Sequence, residues 1–126
     1  MAFHRMIHAV THDSEITVYG DGNQTRDFTF VADAVAGTLA AVTAGRAGRT
    51  YNLGGGTRVS VNEVLELVGE MIGSTPRVRH AQRQLGDARD TGADTTRARK
   101  ELAFEPRHDL AGGLQQQIAW QRTAGA

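Results

Sequence analysis

Apolar residues recur three or four positions apart in several stretches of the chain, which is the spacing of one face of an α-helix. The clearest sets are Phe3, Met6, Ile7 and Val10; Val31, Val35, Leu39 and Val42, with Thr38 among them; Val61, Val64, Leu65, Val68, Met71 and Ile72; and Leu110, Leu114 and Ile118. These sets predict helices over 1–11, 31–44 and 61–72 and a last helix that contains Leu110, Leu114 and Ile118. Asp109 can cap this last helix, and Trp120 lies near its end. A further short helix is predicted from Asp94 or Thr95 through Leu102, because Pro106 marks its end.

The helix over 61–72 carries signals at both ends. Ser60 and Glu63 have the spacing of a capping box, in which each side chain accepts a hydrogen bond from the backbone N–H of the other residue. Gly73 then provides the residue at which such a helix stops. The preceding Gly54–Gly56 could cradle a phosphate at the start of a helix, but a sharp turn into the helix is the simpler interpretation.

Alternation of apolar and polar residues predicts the strands. Ile16 and Val18 alternate with Thr17 and Tyr19, as in a strand with one buried face. A turn at 21–23 and a second extended segment with Phe28 and Phe30 follow, which predicts a β-hairpin. We also predict a short buried strand over Thr50–Leu53 and an edge strand over Pro76–His80.

Short strands that alternate with four to five helices predict a small α/β fold. A chain of 126 residues fits one domain, so we assign residues 1–126 to a single domain. Residues 81–92 are polar and irregular, which is typical of a loop that carries function on a rigid scaffold.

Composition narrows the range of functions. Fourteen basic and fourteen acidic residues cancel, so the charge balance argues against nucleic acid as a partner. The chain has no cysteine, which excludes disulfides and thiol catalysis. No apolar run is long enough to cross a membrane and no signal peptide is apparent, so we expect a cytoplasmic protein without a membrane partner.

Three histidines, His4, His8 and His12, lie four residues apart on the first predicted helix. Two histidines at this spacing can share a metal ion, but no acidic partner accompanies them. Each step of four residues also rotates the side chain by about 40° around the helix axis. We therefore expect a solvated or substrate-facing histidine stripe and no metal site.

Arg26 is the most informative candidate for ligand binding. An arginine beside alternating aromatic residues can meet a phosphate group with its planar set of donors. The alternative from residue chemistry alone is a solvated ion pair between Arg26 and Asp27, which would contribute little.

Tyr19–Phe28 reads Tyr-Gly-Asp-Gly-x-Gln-x-Arg-Asp-Phe. It resembles the opening of the substrate domain of extended short-chain dehydrogenase/reductases, the NAD-dependent sugar-nucleotide epimerase/dehydratase family. Further similar motifs, in the same order and over nearly the whole chain, are Tyr51-Asn52-Leu53-Gly54-Gly55-Gly56, Gly86-Asp87, Ala93-Asp94, Arg97-Ala98 and Leu102-x-Phe104-x-Pro106.

The resemblance implies a substrate-binding C-terminal domain that holds a UDP- or dTDP-sugar. It places Arg26 on the substrate diphosphate, Tyr19 beside the nucleobase and Asp87 on the ribose. The family often has a second phosphate-binding arginine three residues before that aspartate. This chain has Gln84 there and Arg83 one residue earlier, which leaves the second contact open between them.

The resemblance also implies what the chain lacks. The family positions its sugar hydroxyl with Tyr-x-x-x-Lys, but Asn23 and Gly55 lie four residues after the two tyrosines. The glycine-rich dinucleotide fingerprint is also missing. We therefore expect no catalytic residues, no NAD site and no Rossmann half in this chain, and inactivity unless a dinucleotide-binding domain is supplied.

The alternative is a truncated, non-catalytic protein or an interaction module derived from the family, as a chain that opens directly on a helix would suggest. A half-enzyme should expose the apolar surface that faced its missing half, so we expect self-association.

Overall fold

The computed structural model describes residues 2–124. Its five helices are α1 (Ala2–Thr11), α2 (Val31–Ala44), α3 (Val61–Ile72), α4 (Thr96–Leu102) and α5 (Leu110–Ala124). Its four strands are β1 (Glu15–Tyr19), β2 (Thr25–Asp27), β3 (Arg58–Ser60) and β4 (Arg77–Ala81). The predicted small α/β fold with short strands and four to five helices is confirmed.

The chain divides into two compact units. Unit 1 contains the described residues of Met1–Arg26, Val59–Asp90 and Ala111–Ala126, and unit 2 contains Asp27–Arg58 and Thr91–Leu110. The assignment of all 126 residues to one substrate-binding domain stays a prediction.

Unit 1 is built on a parallel pair of strands. β1 runs beside β4 from the Glu15–Arg77 pair to the Tyr19–Ala81 pair. The inward residues Ile16 and Val18 are buried, and α1 packs against both β1 and α3. The largest fully buried side chains of this unit are Ile7, Val64, Val68 and Leu114.

The predicted hairpin is wrong, because β1 pairs with β4 while β2 pairs with β3. Residues 20–24 therefore connect two different sheets. Their carbonyl groups accept from the first amides of α3, with Asn62 N 3.0 Å from Gly22 O and Val61 N 3.3 Å from Gln24 O. These bonds take the place of a hairpin ladder between β1 and β2.

The capping box of α3 is confirmed. The Ser60 side chain accepts from Glu63 N at 3.1 Å, and Ser60 N donates to Glu63 at 2.7 Å. Gly73 ends the helix with a left-handed backbone at φ 78°. Local sequence therefore fixes both ends of this helix.

Unit 2 packs around the buried residues Ala98, Leu102 and Phe104, against which Ala40, Ala41, Tyr51 and Leu53 lie. Residues 50–53 are irregular, so the predicted buried strand is wrong. A strand needs a neighbouring backbone to pair with, and within the described residues no strand or bridge pairs with this segment. Its alternating pattern reflects the packing of Tyr51 and Leu53 against the cluster.

Helix α2 has the predicted bounds but buries an unexpected side. Val31, Val35, Leu39 and Val42 are each more than half exposed, whereas Asp33 and Gly37 are buried. A Cβ at Gly37 would lie 2.7 Å from Leu53. Close packing on the cluster therefore selects the small-residue side of α2 and leaves its valine and leucine side uncovered.

Candidate functional site

The turn that follows β1 is fixed by contacts that leave little freedom. Gly20 and Gly22 have left-handed backbones at φ 81° and 76°. A Cβ at Gly22 would lie 1.9 Å from the side-chain oxygen of Asn62. Asn62 Nδ2 also donates to Asp21 O at 3.0 Å. The turn thus holds Tyr19 and Asp21 in set positions at the end of the sheet.

Arg26 on β2 lies beside the loop over 81–92. Its Nη2 atom donates to Asp87 Oδ1 at 2.5 Å, and its Nη1 atom donates to Thr25 O at 2.8 Å and Arg89 O at 3.3 Å. The solvated Arg26–Asp27 pair is therefore not formed. Arg26 instead brings Asp87, one of the predicted site residues, to the strand.

A pocket of about 260 Å³ lies in unit 1, lined by Tyr19, Gly20, Asp21, Gln24, Arg83, Asp87 and Arg89. Three of the five residues predicted from the sequence, Tyr19, Arg83 and Asp87, share this lining. Arg26 is not on the lining but is bonded to Asp87. Gln84 is exposed and off the lining, and its carbonyl oxygen accepts from Asp87 N at 3.4 Å.

Three lining side chains were missed by sequence reasoning: Asp21, Gln24 and Arg89. Arg89 Nη1 donates to both carboxylate oxygens of Asp21, at 3.1 and 3.0 Å. Gln24 Nε2 donates to Tyr19 O at 3.0 Å. Asp21 and Gln24 lie inside the Tyr19–Phe28 motif, so the motif itself was the available signal. Arg89 is 68 residues from Asp21, and the sequence gives no signal for that pair.

The pocket lining carries the guanidinium groups of Arg83 and Arg89 and the carboxylates of Asp21 and Asp87. A third guanidinium group, that of Arg26, is bonded to Asp87. A backbone hydrogen bond from Asn23, aided by Arg89, holds the pKa of Asp21 below its ordinary value. Asp21 is therefore ionised at neutral pH. Guanidinium donors suit phosphate oxygens, and carboxylates accept hydrogen bonds from hydroxyl groups.

Gly54–Gly56 lies in unit 2, and its backbone is already engaged. Gly55 N donates to Asp27 Oδ1 at 2.8 Å, and Ala93 N donates to Asp27 Oδ2 at 3.2 Å. A Cβ at Gly55 would lie 2.0 Å from Phe28 O. These contacts favour a close-packed turn as the role of the glycines, and they argue against a phosphate-binding loop.

The histidine stripe shows no metal geometry. The His8 and His12 rings stack with centroids 4.2 Å apart. Throughout residues 2–124, no group of three or more histidine, cysteine or acidic side chains could hold a metal ion. Over the same residues, no helix is long and apolar enough to cross a membrane.

Comparison with known proteins identifies the family. The profile of the NAD dependent epimerase/dehydratase family matches residues 1–54. The chain is 35% identical over 121 residues to "Uncharacterized UDP-glucose epimerase YtcB" of Bacillus subtilis, covering 95% of this chain and 38% of that protein. It is 38% identical over 117 residues to a dTDP-glucose 4,6-dehydratase of Streptomyces griseus, covering 92% and 36%. The chain belongs to the NAD-dependent epimerase/dehydratase family.

A solved member of the epimerase/dehydratase family has the same fold. UDP-glucuronic acid 4-epimerase of Bacillus cereus, in complex with UDP-glucuronic acid and NAD, superposes with a TM-score of 0.93 at 30% identity. The match covers 98% of this chain and 40% of that one. The family recognised from the motifs is confirmed, and the chain spans less than half the length of these epimerase/dehydratase relatives.

Proposed function

We propose that this chain is the substrate-binding, C-terminal portion of an NAD-dependent epimerase/dehydratase and binds the nucleoside diphosphate of a UDP- or dTDP-sugar. The observation that carries the proposal is the convergence of Tyr19, Arg83 and Asp87 on one pocket, with Arg26 bonded to Asp87 at its wall. The motif resemblance implies the same residues on independent grounds.

Each residue has a chemical reason for its role. A diphosphate needs localised cationic donors, of which Arg26 supplies one, while Arg83 lines the same pocket and donates to Asp87 O. A nucleobase needs an aromatic or apolar surface, and Tyr19, which lines the pocket, is 44% exposed. The Asp87 carboxylate can accept from a ribose hydroxyl while it keeps one oxygen on Arg26. Gln84 lies off the lining and takes no direct part.

NAD does not fit the glycine-rich segment of this chain. The backbone N–H of Gly55 is bonded to Asp27, and Phe28 O occupies the space beside it. Neither tyrosine has a lysine four residues later. We therefore assign NAD binding and hydride transfer to a dinucleotide-binding portion outside these residues.

Isothermal titration calorimetry of the full chain tests the proposal. UDP-glucose and dTDP-glucose are titrated in parallel with free glucose and NAD. We expect saturable binding of at least one nucleotide sugar and no binding of glucose or NAD. Absence of heat with every nucleotide sugar at millimolar concentration would overturn the proposal.

A specific observation also favours a docking function. The exposed residues of α2, namely Val31, Val35, Leu39 and Val42, form one uncharged helix face, which we call the α2 face. The only charged residue of α2 is Asp33, which is buried. A helix that is apolar all round is typical of a buried position, and depletion of charge marks interface cores.

We infer that the α2 face docks on the dinucleotide-binding portion that makes up the remainder of the family's length. On its own, the chain would cover this face by self-association. Sedimentation of the purified chain tests the inference: we expect concentration-dependent association. A monomer at all concentrations would contradict it.

A further inference from the structure

The position that the family resemblance gives to a second phosphate contact is not occupied by a cation. Gln84 is off the pocket lining, and the neighbouring Leu85 side chain is fully exposed. Arg83 reaches the pocket from the same exposed loop, and its Nη2 atom already donates to Asp87 O at 2.6 Å, which closes the loop on itself. Part of the Arg83 guanidinium is therefore taken up by the loop, so another arginine on the lining is the better candidate for the second guanidinium.

Contacts with β2 hold the backbone of Arg89 and of the residue that follows it. Its carbonyl oxygen accepts from Thr25 N at 3.0 Å and from Arg26 Nη1 at 3.3 Å. The next residue, Asp90, forms a backbone bridge to Thr25 and accepts from its hydroxyl at 2.6 Å. The loop is thus anchored to β2 where the Arg89 side chain departs, so this side chain has a defined reach into the pocket.

The partner of Arg89 is easily exchanged. The Arg89 and Asp21 side chains are 50% and 49% exposed, and exposed ion pairs contribute little to stability. The Arg26–Asp87 pair is less exposed, at 26% and 37%, and Arg26 holds two carbonyl groups as well. Breaking the Arg89 pair would leave all of these anchors in place, whereas breaking the Arg26 pair would free the Asp87 carboxylate from β2.

We propose that Arg89 supplies the second guanidinium for the substrate diphosphate, in place of residue 84, and that Asp21 is its partner in the absence of ligand. The proposal rests on the proposed nucleotide-sugar function. On binding, Arg89 moves its donors from the Asp21 carboxylate to phosphate oxygens. Arginine can form two parallel hydrogen bonds to phosphate oxygens, whereas a single donor atom, Nη1, contacts both Asp21 oxygens here.

The test compares UDP with uridine, which has the same base and ribose but no phosphate. The full chain and its variants are titrated with both by calorimetry. We expect Arg89→Gln to weaken UDP binding by about 10- to 100-fold and to change uridine binding by less than about twofold. The matched control is Arg79→Gln, because Arg79 forms an equally exposed pair with Glu15 at 2.7 Å on β4, away from the pocket lining. The control should leave UDP binding unchanged.

A second variant tests the role of Asp21. Asp21→Asn keeps an oxygen that can accept from Asn23 N but removes the charge that competes for Arg89, so UDP should bind severalfold more tightly. If wild type binds UDP and Arg89→Gln binds it within about twofold, the role of Arg89 is wrong while the proposed function stands. An equal loss of UDP and uridine would also overturn it, because it would mean a structural effect. If wild type binds neither UDP nor dTDP, both proposals fail.

Discussion

The Arg26 guanidinium and the Asp87 carboxylate, 61 residues apart in the sequence, meet at 2.5 Å and attach the loop over 81–92 to strand β2. The pair brings together two residues for which the family resemblance implied separate contacts to one ligand. Because Arg26 also donates to two backbone carbonyl groups, it both holds Asp87 at the pocket lining and helps to attach the loop.

Replacement of Arg26 tests this double role. Arg26→Ala removes a charge-assisted contact and leaves the Asp87 carboxylate without its guanidinium, so the free energy of UDP-sugar binding should fall by about 1.5–3 kcal/mol. Calorimetry measures the loss, and in a complete enzyme it would appear as a raised KM, with or without a fall in kcat. Arg77→Ala is the control, because Arg77 contacts Asp13 on the surface, through a 3.8 Å pair and a 3.1 Å hydrogen bond to its carbonyl oxygen, away from the pocket lining. Equal affinity of Arg26→Ala and the parent would exclude the role of Arg26.

Unit 2 contains a buried carboxylate that should make folding sensitive to acid. Asp33 accepts from the backbone N–H groups of Arg107 and His108 and lies 3.0 Å from His108 Nδ1. Burial opposes ionisation, but these hydrogen bonds outweigh it and hold the pKa of Asp33 below its ordinary value. Because the folded-state pKa is depressed, this stabilisation is present above the unfolded pKa of about 3.9 and is lost as the pH falls through the folded value.

Asp33→Ala should therefore lower the free energy of unfolding at pH 7 by about 1–3 kcal/mol, because three donors lose their acceptor. The variant should also show a smaller loss of stability than the parent as the pH falls below about 4. Urea unfolding at a series of pH values measures both effects. Glu70→Ala, at an exposed position of α3, is the control. A parent and variant with parallel acid profiles would show that Asp33 does not provide this stabilisation.

The α2 face should control association of the isolated chain. Leu39→Glu and Val42→Glu place charges on an apolar surface, so sedimentation velocity should show a shift toward monomer. Circular dichroism should be unchanged, because neither side chain is buried. The control is Leu85→Glu, which replaces an exposed leucine outside the α2 face with a charged residue. Association that persists in both α2 variants would exclude this face.

Periodicity predicted the helices well, because local spacing and caps determine where a helix begins and ends. It did not predict which side of α2 is buried. The valines and leucine are the more apolar side, but Gly37, Ala40 and Ala41 allow the close approach to Leu53 and Phe104. Alternation likewise found β1 but not its neighbour, since a strand pattern records a buried face and carries no information about which backbone lies beside it.

A motif could indicate which residues lie together at the candidate site, while their role in binding stays a prediction. Tyr19, Arg83 and Asp87 were expected in one site and share one pocket. The Asp21–Arg89 pair was not expected, because it depends on how the loop is anchored to β2 through Thr25 and Asp90. That anchoring is a tertiary contact that the spacing of residues in the sequence does not express.

Hydrogen–deuterium exchange with and without UDP-glucose tests the central claim most directly, because it reports where the ligand binds as well as whether it binds. The account predicts slower exchange of backbone amides over 19–26 and 83–90, and no change over 51–56. Unchanged exchange everywhere at millimolar UDP-glucose, or protection confined to 51–56, would contradict it.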